Sequence, residues 1–156
     1  KELKIELLIG GDCQSAALLK EISLLPGWVF SKYKGLLPRE EALNILYKSD
    51  VSLVIYSPAP NHYDVRSNRL FESMAAGIPV VTANFPRWKE IVLGNKCGLV
   101  VNPLSPEDIA DAISRILKDP AAAKHMGENG RKAVRKKYNW AIEEQKLLDF
   151  YCQILN

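Results

Sequence analysis

The chain has 156 residues, of which 47% are apolar, 25% charged and 8% aromatic, with 9 Gly and 9 Pro; these are the values of an ordinary globular domain and exclude collagen, a disordered tail and a disulfide-stapled miniprotein. A chain this long buries roughly 68–70% of its unfolded surface, which suits one domain with a real core better than two. The net charge of +3 is too small to imply nucleic acid, and no apolar run reaches the roughly 18–20 residues that span a bilayer.

In chain order, 4–9 (KIELLI) reads as a buried strand closing in the turn Gly10-Gly11-Asp12. A helix follows, with Ala16, Leu19, Ile22 and Leu25 on one face, up to Pro26-Gly27. Residues 28–34 read as a second strand ended by Gly35. The stretch 38–49 reads as a helix, with Pro38, Glu40 and Glu41 suited to its first turn. Residues 51–56 (VSLVIY) are short and apolar enough for a central parallel strand. The irregular segment 57–67 carries two prolines and His62. After it come a helix at 68–76 ending at Gly77, a strand at 78–82, a short helix at 86–93 and a strand at 97–101. Helices at 106–117 and 121–138 follow, and an amphipathic one at 140–155 aligns Trp140, Leu147, Tyr151 and Ile154. Five strands interleaved with helices predict an α/β, Rossmann-like parallel sheet with helices on both faces.

Two distributions add to this. The helix at 121–138 concentrates Lys124, Arg131, Lys132, Arg135, Lys136 and Lys137 against the single acid Glu128; this is a solvated face or, alternatively, a contact for anionic lipid. Cys13, Cys97 and Cys152 are widely separated and lack CxxC spacing, which suits a reduced, cytoplasmic setting.

Ligands of open α/β sheets bind outside the carboxyl ends of the strands, which directs attention to 10–14, 34–39, 57–70 and 82–88. The loop 57–67 is longer than a strand-to-helix connection needs. The helix start after it, Ser67-Asn68-Arg69-Leu70, offers backbone N–H groups and a positive dipole end for a phosphate, with Arg66 and Arg69 flanking. The competing reading is a plain cap by Ser67 or Asn68. Asp64 and Glu72 can accept hydrogen bonds from vicinal sugar hydroxyls, or be an ordinary turn residue and a solvated helix acid. The turn 10–15 does not satisfy G-x-G-x-x-G, no Walker or G-x-S-x-G motif occurs, and the two histidines form no ligand-spaced cluster. No Asp-x-Asp pair is present, so neither a metal nor a cofactor is expected.

The run Asn68-Arg69-Leu70-Phe71-Glu72-Ser73-Met74-Ala75-Ala76-Gly77-Ile78-Pro79-Val80-Val81 closely resembles the donor-binding helix and strand of the family 4 retaining glycosyltransferases, which have the two-domain GT-B architecture. Leu8-Ile9-Gly10-Gly11-Asp12, Gly35-Leu36-Leu37-Pro38 and Leu46-Tyr47-Lys48-Ser49-Asp50 resemble the preceding elements of that family. Glu90-Ile91-Val92, Gly98-Leu99-Val100-Val101 and Pro106-Glu107-Asp108-Ile109-Ala110 continue it in order. The resemblance implies the C-terminal, donor-binding half of an enzyme that moves a sugar from a nucleotide-diphosphate donor, with retention, in polysaccharide or glycolipid assembly. The family's Glu-x7-Glu pair falls on Asp64 and Glu72. Glu72 would bind the ribose hydroxyls, Asp64 would face the donor sugar with an arm one methylene shorter, and the amides of Asn68, Arg69 and Leu70 would hold the diphosphate. Gly10 and Gly11 would form the glycine-rich turn, and the base would rest near Gly35, Leu36 and Leu37.

The resemblance also implies what lies outside residues 1–156. The family's diphosphate-gripping Arg and Lys precede the segment starting at Lys1, as does the N-terminal acceptor domain, so the chain reads as a piece of a longer enzyme that is inactive alone. The family's first strand would lie between those at 4–9 and 51–56; either these two pair directly or another chain fills the gap. The last helix would leave its apolar stripe for the N-terminal domain or a second copy, or pack it into this chain's own core. Expected partners are therefore a nucleotide sugar and the N-terminal domain, not nucleic acid, with peripheral contact at the inner face of a membrane as an alternative for the whole enzyme. The competing functions are half of a nucleotide-sugar epimerase and a non-catalytic nucleotide-binding module.

Overall fold

The computed structural model describes residues 4–155. The chain divides into two compact units, drawn from Lys1–Lys48 and Ser49–Asn156.

The first unit holds β1 (Leu7–Ile9), α1 (Ala16–Ser23), a 3-10 turn (Pro26–Phe30), β2 (Ser31–Tyr33) and α2 (Arg39–Tyr47). β1 and β2 are parallel, with Leu7 opposite Ser31 and Ile9 opposite Tyr33. Ser15 caps α1 by accepting from the Leu18 N–H at 3.1 Å, as a serine just before an apolar-periodic segment should. The strand expected over 28–34 is shorter. Pro26 at the first position fixes φ and the Trp28 N–H donates to the Leu25 carbonyl, so Trp28, Val29 and Phe30 wind into a turn before extension begins at Ser31.

The second unit runs β3 (Ser52–Val54), α3 (Asn68–Ala76), β4 (Val80–Ala83), α4 (Pro86–Gly94), β5 (Gly98–Val101), α5 (Pro106–Lys118), α6 (Pro120–Lys137) and α7 (Trp140–Leu155). β4 is central, pairing in parallel with β3 through Val54 opposite Thr82 and with β5 through Val80 opposite Gly98. Every residue of β4 is buried, as a strand covered on both faces requires. One face packs Val80 with Val54, Leu70, Met74, Phe85, Trp88, Val92 and Ala133. The other packs Val81 with Val101, Ala112 and Ile116. Helices therefore lie on both faces of this sheet, as expected of the α/β class.

The first unit holds a two-stranded parallel sheet and the second a three-stranded one. α3 ends as the sequence predicts, at Gly77 in the left-handed region with φ 74°, a conformation that costs a side-chain-bearing residue roughly 1–2 kcal/mol. No helix among the described residues is long and apolar enough to cross a membrane.

Candidate functional site

β3 and β4 run parallel, so the segments leaving their carboxyl ends, 55–67 and 84–85, emerge at one end of the sheet. The loop 57–67 is held there by aromatic side chains. Trp88, buried at the start of α4, donates from Nε1 to the Val65 carbonyl at 2.7 Å. Its ring meets Tyr56 edge-on at 5.2 Å and Phe85 at 5.3 Å, while Tyr63 lies 4.9 Å from Phe85. Tyr56 also meets His62 edge-on at 5.2 Å, and His62 Nδ1 lies 2.7 Å from the Ser57 carbonyl oxygen. Such edge contacts add about 0.5–1.5 kcal/mol each beyond the apolar area they bury. The loop is consequently anchored to the main core of the second unit through Tyr56, Val65 and Trp88.

α3 starts directly behind it. Ser67 occupies the N-cap position and is buried, yet its side chain makes no capping bond. Its Oγ instead lies 3.5 Å from the Tyr56 hydroxyl, so the plain capping reading is not what the structure shows for this residue. The first turn of α3 contains no acid. Arg69 reaches back from this turn and donates from Nη1 to the Tyr56 hydroxyl at 2.9 Å. Asp64, Arg66 and Asn68 are exposed, and Glu72 is half-buried on α3. Leu70 is a core residue, and its N–H donates to the Ser67 carbonyl at 3.1 Å. Its side chain therefore faces away from any ligand at the helix start. Ser73, one turn further, anchors α3 to the sheet: its Oγ lies 2.7 Å from both Ser52 Oγ and the Arg69 carbonyl oxygen.

In the first unit the structure joins the two segments singled out from the sequence. The Gly11 N–H donates to the Gly35 carbonyl at 2.8 Å. A Cβ on Gly10 would sit 3.1 Å from Leu37 Cδ1, and Leu36 is exposed. Tyr33 locks the turn, since its hydroxyl donates to the Gly11 carbonyl at 2.9 Å and accepts from the Cys13 N–H at 3.0 Å. Gly10, Gly11, Gly35, Leu36 and Leu37 thus form one cluster, while Asp64, Arg66, Ser67, Asn68, Arg69 and Glu72 belong to the second unit. Sequence reasoning missed Tyr33, Tyr56 and Trp88. For Tyr33 and Tyr56 the available signal was an aromatic with a polar tip at or just beyond the carboxyl end of a strand; Trp88 lies in the first turn of α4.

Parallel strands with helices on both faces define an α/β fold, and solved structures share it. The chain superposes on sucrose-phosphate synthase from Thermosynechococcus elongatus with a TM-score of 0.73 and 27% identity, covering 97% of this chain and 38% of that one. Its TM-score is 0.80, with 17% identity, against Anabaena HepE in complex with UDP, covering 96% and 41%. These neighbours are GT-B glycosyltransferases, and the fold is theirs. Residues 4–133 match the family described as glycosyl transferases group 1, and the chain belongs to that family. Among curated relatives, a GDP-mannose-dependent phosphatidylinositol monomannoside mannosyltransferase of Mycobacterium tuberculosis is 40% identical over 79 residues, 51% of this chain and 20% of that protein. The chain spans 20–25% of the length of the first curated relatives it matches.

Proposed function

We propose that this chain is the donor-binding half of a retaining glycosyltransferase that transfers a sugar from a nucleotide-diphosphate sugar in polysaccharide or glycolipid assembly. The carrying observation is the start of α3. It pairs an N-terminus without a side-chain cap with Arg66 and Arg69, and sets Glu72 one turn into the helix, all within a family match that spans it. The amides of Asn68 and Arg69 and the two guanidiniums take the diphosphate, for which no metal is then required. Glu72 accepts from the ribose hydroxyls, and Asp64 faces the donor sugar. In the first unit, the cluster of Gly10, Gly11, Gly35, Leu36 and Leu37 is read as a contact for a nucleotide base.

An acceptor domain on the N-terminal side completes the enzyme, and residues 1–156 alone have no turnover, because positioning and charge stabilisation come from both halves. We place the enzyme in the cytoplasm. The apolar stripe of α7 is read as a surface for the rest of the enzyme, and the basic face of α6 as a solvated one, with membrane contact as the alternative.

Calorimetry with UDP, GDP and ADP and their sugars tests this reading. One nucleoside diphosphate should bind weakly and unchanged in EDTA. Glu72→Ala should weaken it at least about tenfold, since hydrogen bonds to a charged acceptor are worth about 1.5–3 kcal/mol, and Arg69→Glu should abolish it. Undiminished binding by the Glu72→Ala protein removes the ribose role. For the whole enzyme, a product of inverted anomeric configuration by NMR removes the retaining assignment.

A further inference from the structure

Arg69 is placed where a helix does not favour a cation. It is the second residue of α3, so its charge adds to the positive dipole end, and like charge there is unfavourable until an anion arrives. Its guanidinium is nevertheless held, donating from Nη1 to the Tyr56 hydroxyl 2.9 Å away. That phenol is itself fixed. The ring makes edge contacts with both His62 and Trp88, at 5.2 Å from each, and both neighbours are tied to the loop backbone, His62 at Ser57 and Trp88 at Val65. Val65 lies between Asp64 and Arg66. One buried indole therefore fixes the loop backbone that carries those two side chains and also the ring that sets Arg69.

We infer that Tyr56 is a positioning residue for anion binding: its hydroxyl, held by the Trp88 and His62 rings, keeps the Arg69 guanidinium at the start of α3, aimed for a diphosphate. This rests on reading that helix start as the diphosphate cradle. The physical gain is entropic. A free Arg carries about 2 kcal/mol of rotamer entropy, and a guanidinium stationed in advance loses less of it when the anion binds. The phenol can also turn its own proton toward Ser67 Oγ, 3.5 Å away, which leaves its lone pairs to the guanidinium.

The discriminating variant is Tyr56→Phe, which keeps both ring contacts and removes only the oxygen. Inorganic pyrophosphate, UDP, GDP and ADP are titrated calorimetrically into wild type, Tyr56→Phe, Arg69→Ala and the double variant. The expected result is about five- to tenfold weaker binding of pyrophosphate and of the preferred nucleoside diphosphate by Tyr56→Phe, the size of one hydrogen bond. Adding the same change to Arg69→Ala should cost nothing further, a non-additivity that a merely structural role would not produce. If wild type binds none of the four ligands, the diphosphate reading falls and this inference with it. If wild type binds and Tyr56→Phe binds equally well, or loses the same factor without Arg69, the positioning role alone is overturned. Guanidinium NMR on the unmutated protein is a check independent of any variant's folding: separate, slowly exchanging Arg69 Nη resonances are expected, and a single averaged set overturns the inference.

Discussion

Thr82 lies on the central strand of the second unit, β4, and is fully buried; among the described residues its Oγ1 has no hydrogen-bond partner. A buried hydroxyl without a partner costs roughly 1–3 kcal/mol relative to solvent, and valine has nearly the same shape. Thr82→Val is therefore expected to raise the urea midpoint, with a gain of about 1 kcal/mol in unfolding free energy. A loss would show that the hydroxyl is satisfied by an internal water, which such a site can hold only where two to four polar partners converge. The site residues show the complementary limit of reading a chain by itself. Asp64, Arg66, Arg69 and Glu72 stand out in the sequence because charge beside a helix start is a local pattern. Tyr56 and Trp88 do not, because their bonds reach across 13 residues to Arg69 and 23 to Val65, and only the folded chain supplies those neighbours.

At the scale of elements, α3 and α6 are the pair that sets how the site helix is held. α6 approaches through Gly127 and Gly130. A Cβ on Gly127 would stand 2.0 Å from the Gly77 carbonyl oxygen, and one on Gly130 would stand 3.2 Å from Met74 Cα. Arg131 then donates from Nη2 to the Ala76 carbonyl at 2.6 Å, a cation on the carbonyl end of α3 where the dipole favours it. Alanine is about 1 kcal/mol better than glycine in a helix interior, so exposed glycines and this one should respond with opposite signs. Gly127→Ala is expected to destabilise by about 2 kcal/mol or more, because the obstacle is backbone and cannot rotate away. Gly94→Ala, at the end of α4 with nothing within 4 Å of the added carbon, should be neutral or stabilise by up to about 1 kcal/mol. Equal midpoints for the two variants in urea unfolding would refute the close packing. α3 is legible in the sequence because Gly77 ends its helix pattern. The strand expected at 28–34 failed at its first half: Val29 and Phe30 are strand formers, but both are exposed, so no packing opposes the turn that Pro26 begins.

At the scale of the whole molecule, burial is unevenly divided. The buried hydrophobic residues run from Val54 to Ala133, all in the second unit, and none of the described residues before Ser49 is buried. The first unit rests on a two-stranded parallel pair and the Tyr33 bonds, and a sheet of two strands is marginal without a packed face. Opening free energies should therefore differ sharply between the units. The cysteines report on both. Cys13 lies in the first unit and is half-buried, Cys152 is exposed, and Cys97 is fully buried beneath α4 and α6. Burial pushes the Cys97 thiol from 9.0 up to about 11, and the thiolate is the reactive form. In the unfolded chain that thiol ionises near 9 while the folded chain keeps its proton until about 11, so folding binds the extra proton and stability falls as pH rises through that window. Thiol labelling at pH 8 along a urea series should modify Cys152 and Cys13 in the absence of denaturant and spare Cys97 until the second unit unfolds. Repeating the series from pH 8 to 10.5 should move the Cys97 transition to lower urea. Labelling of Cys97 without denaturant at the rate of Cys13 would mean that the two units open together, and would overturn the uneven division of stability.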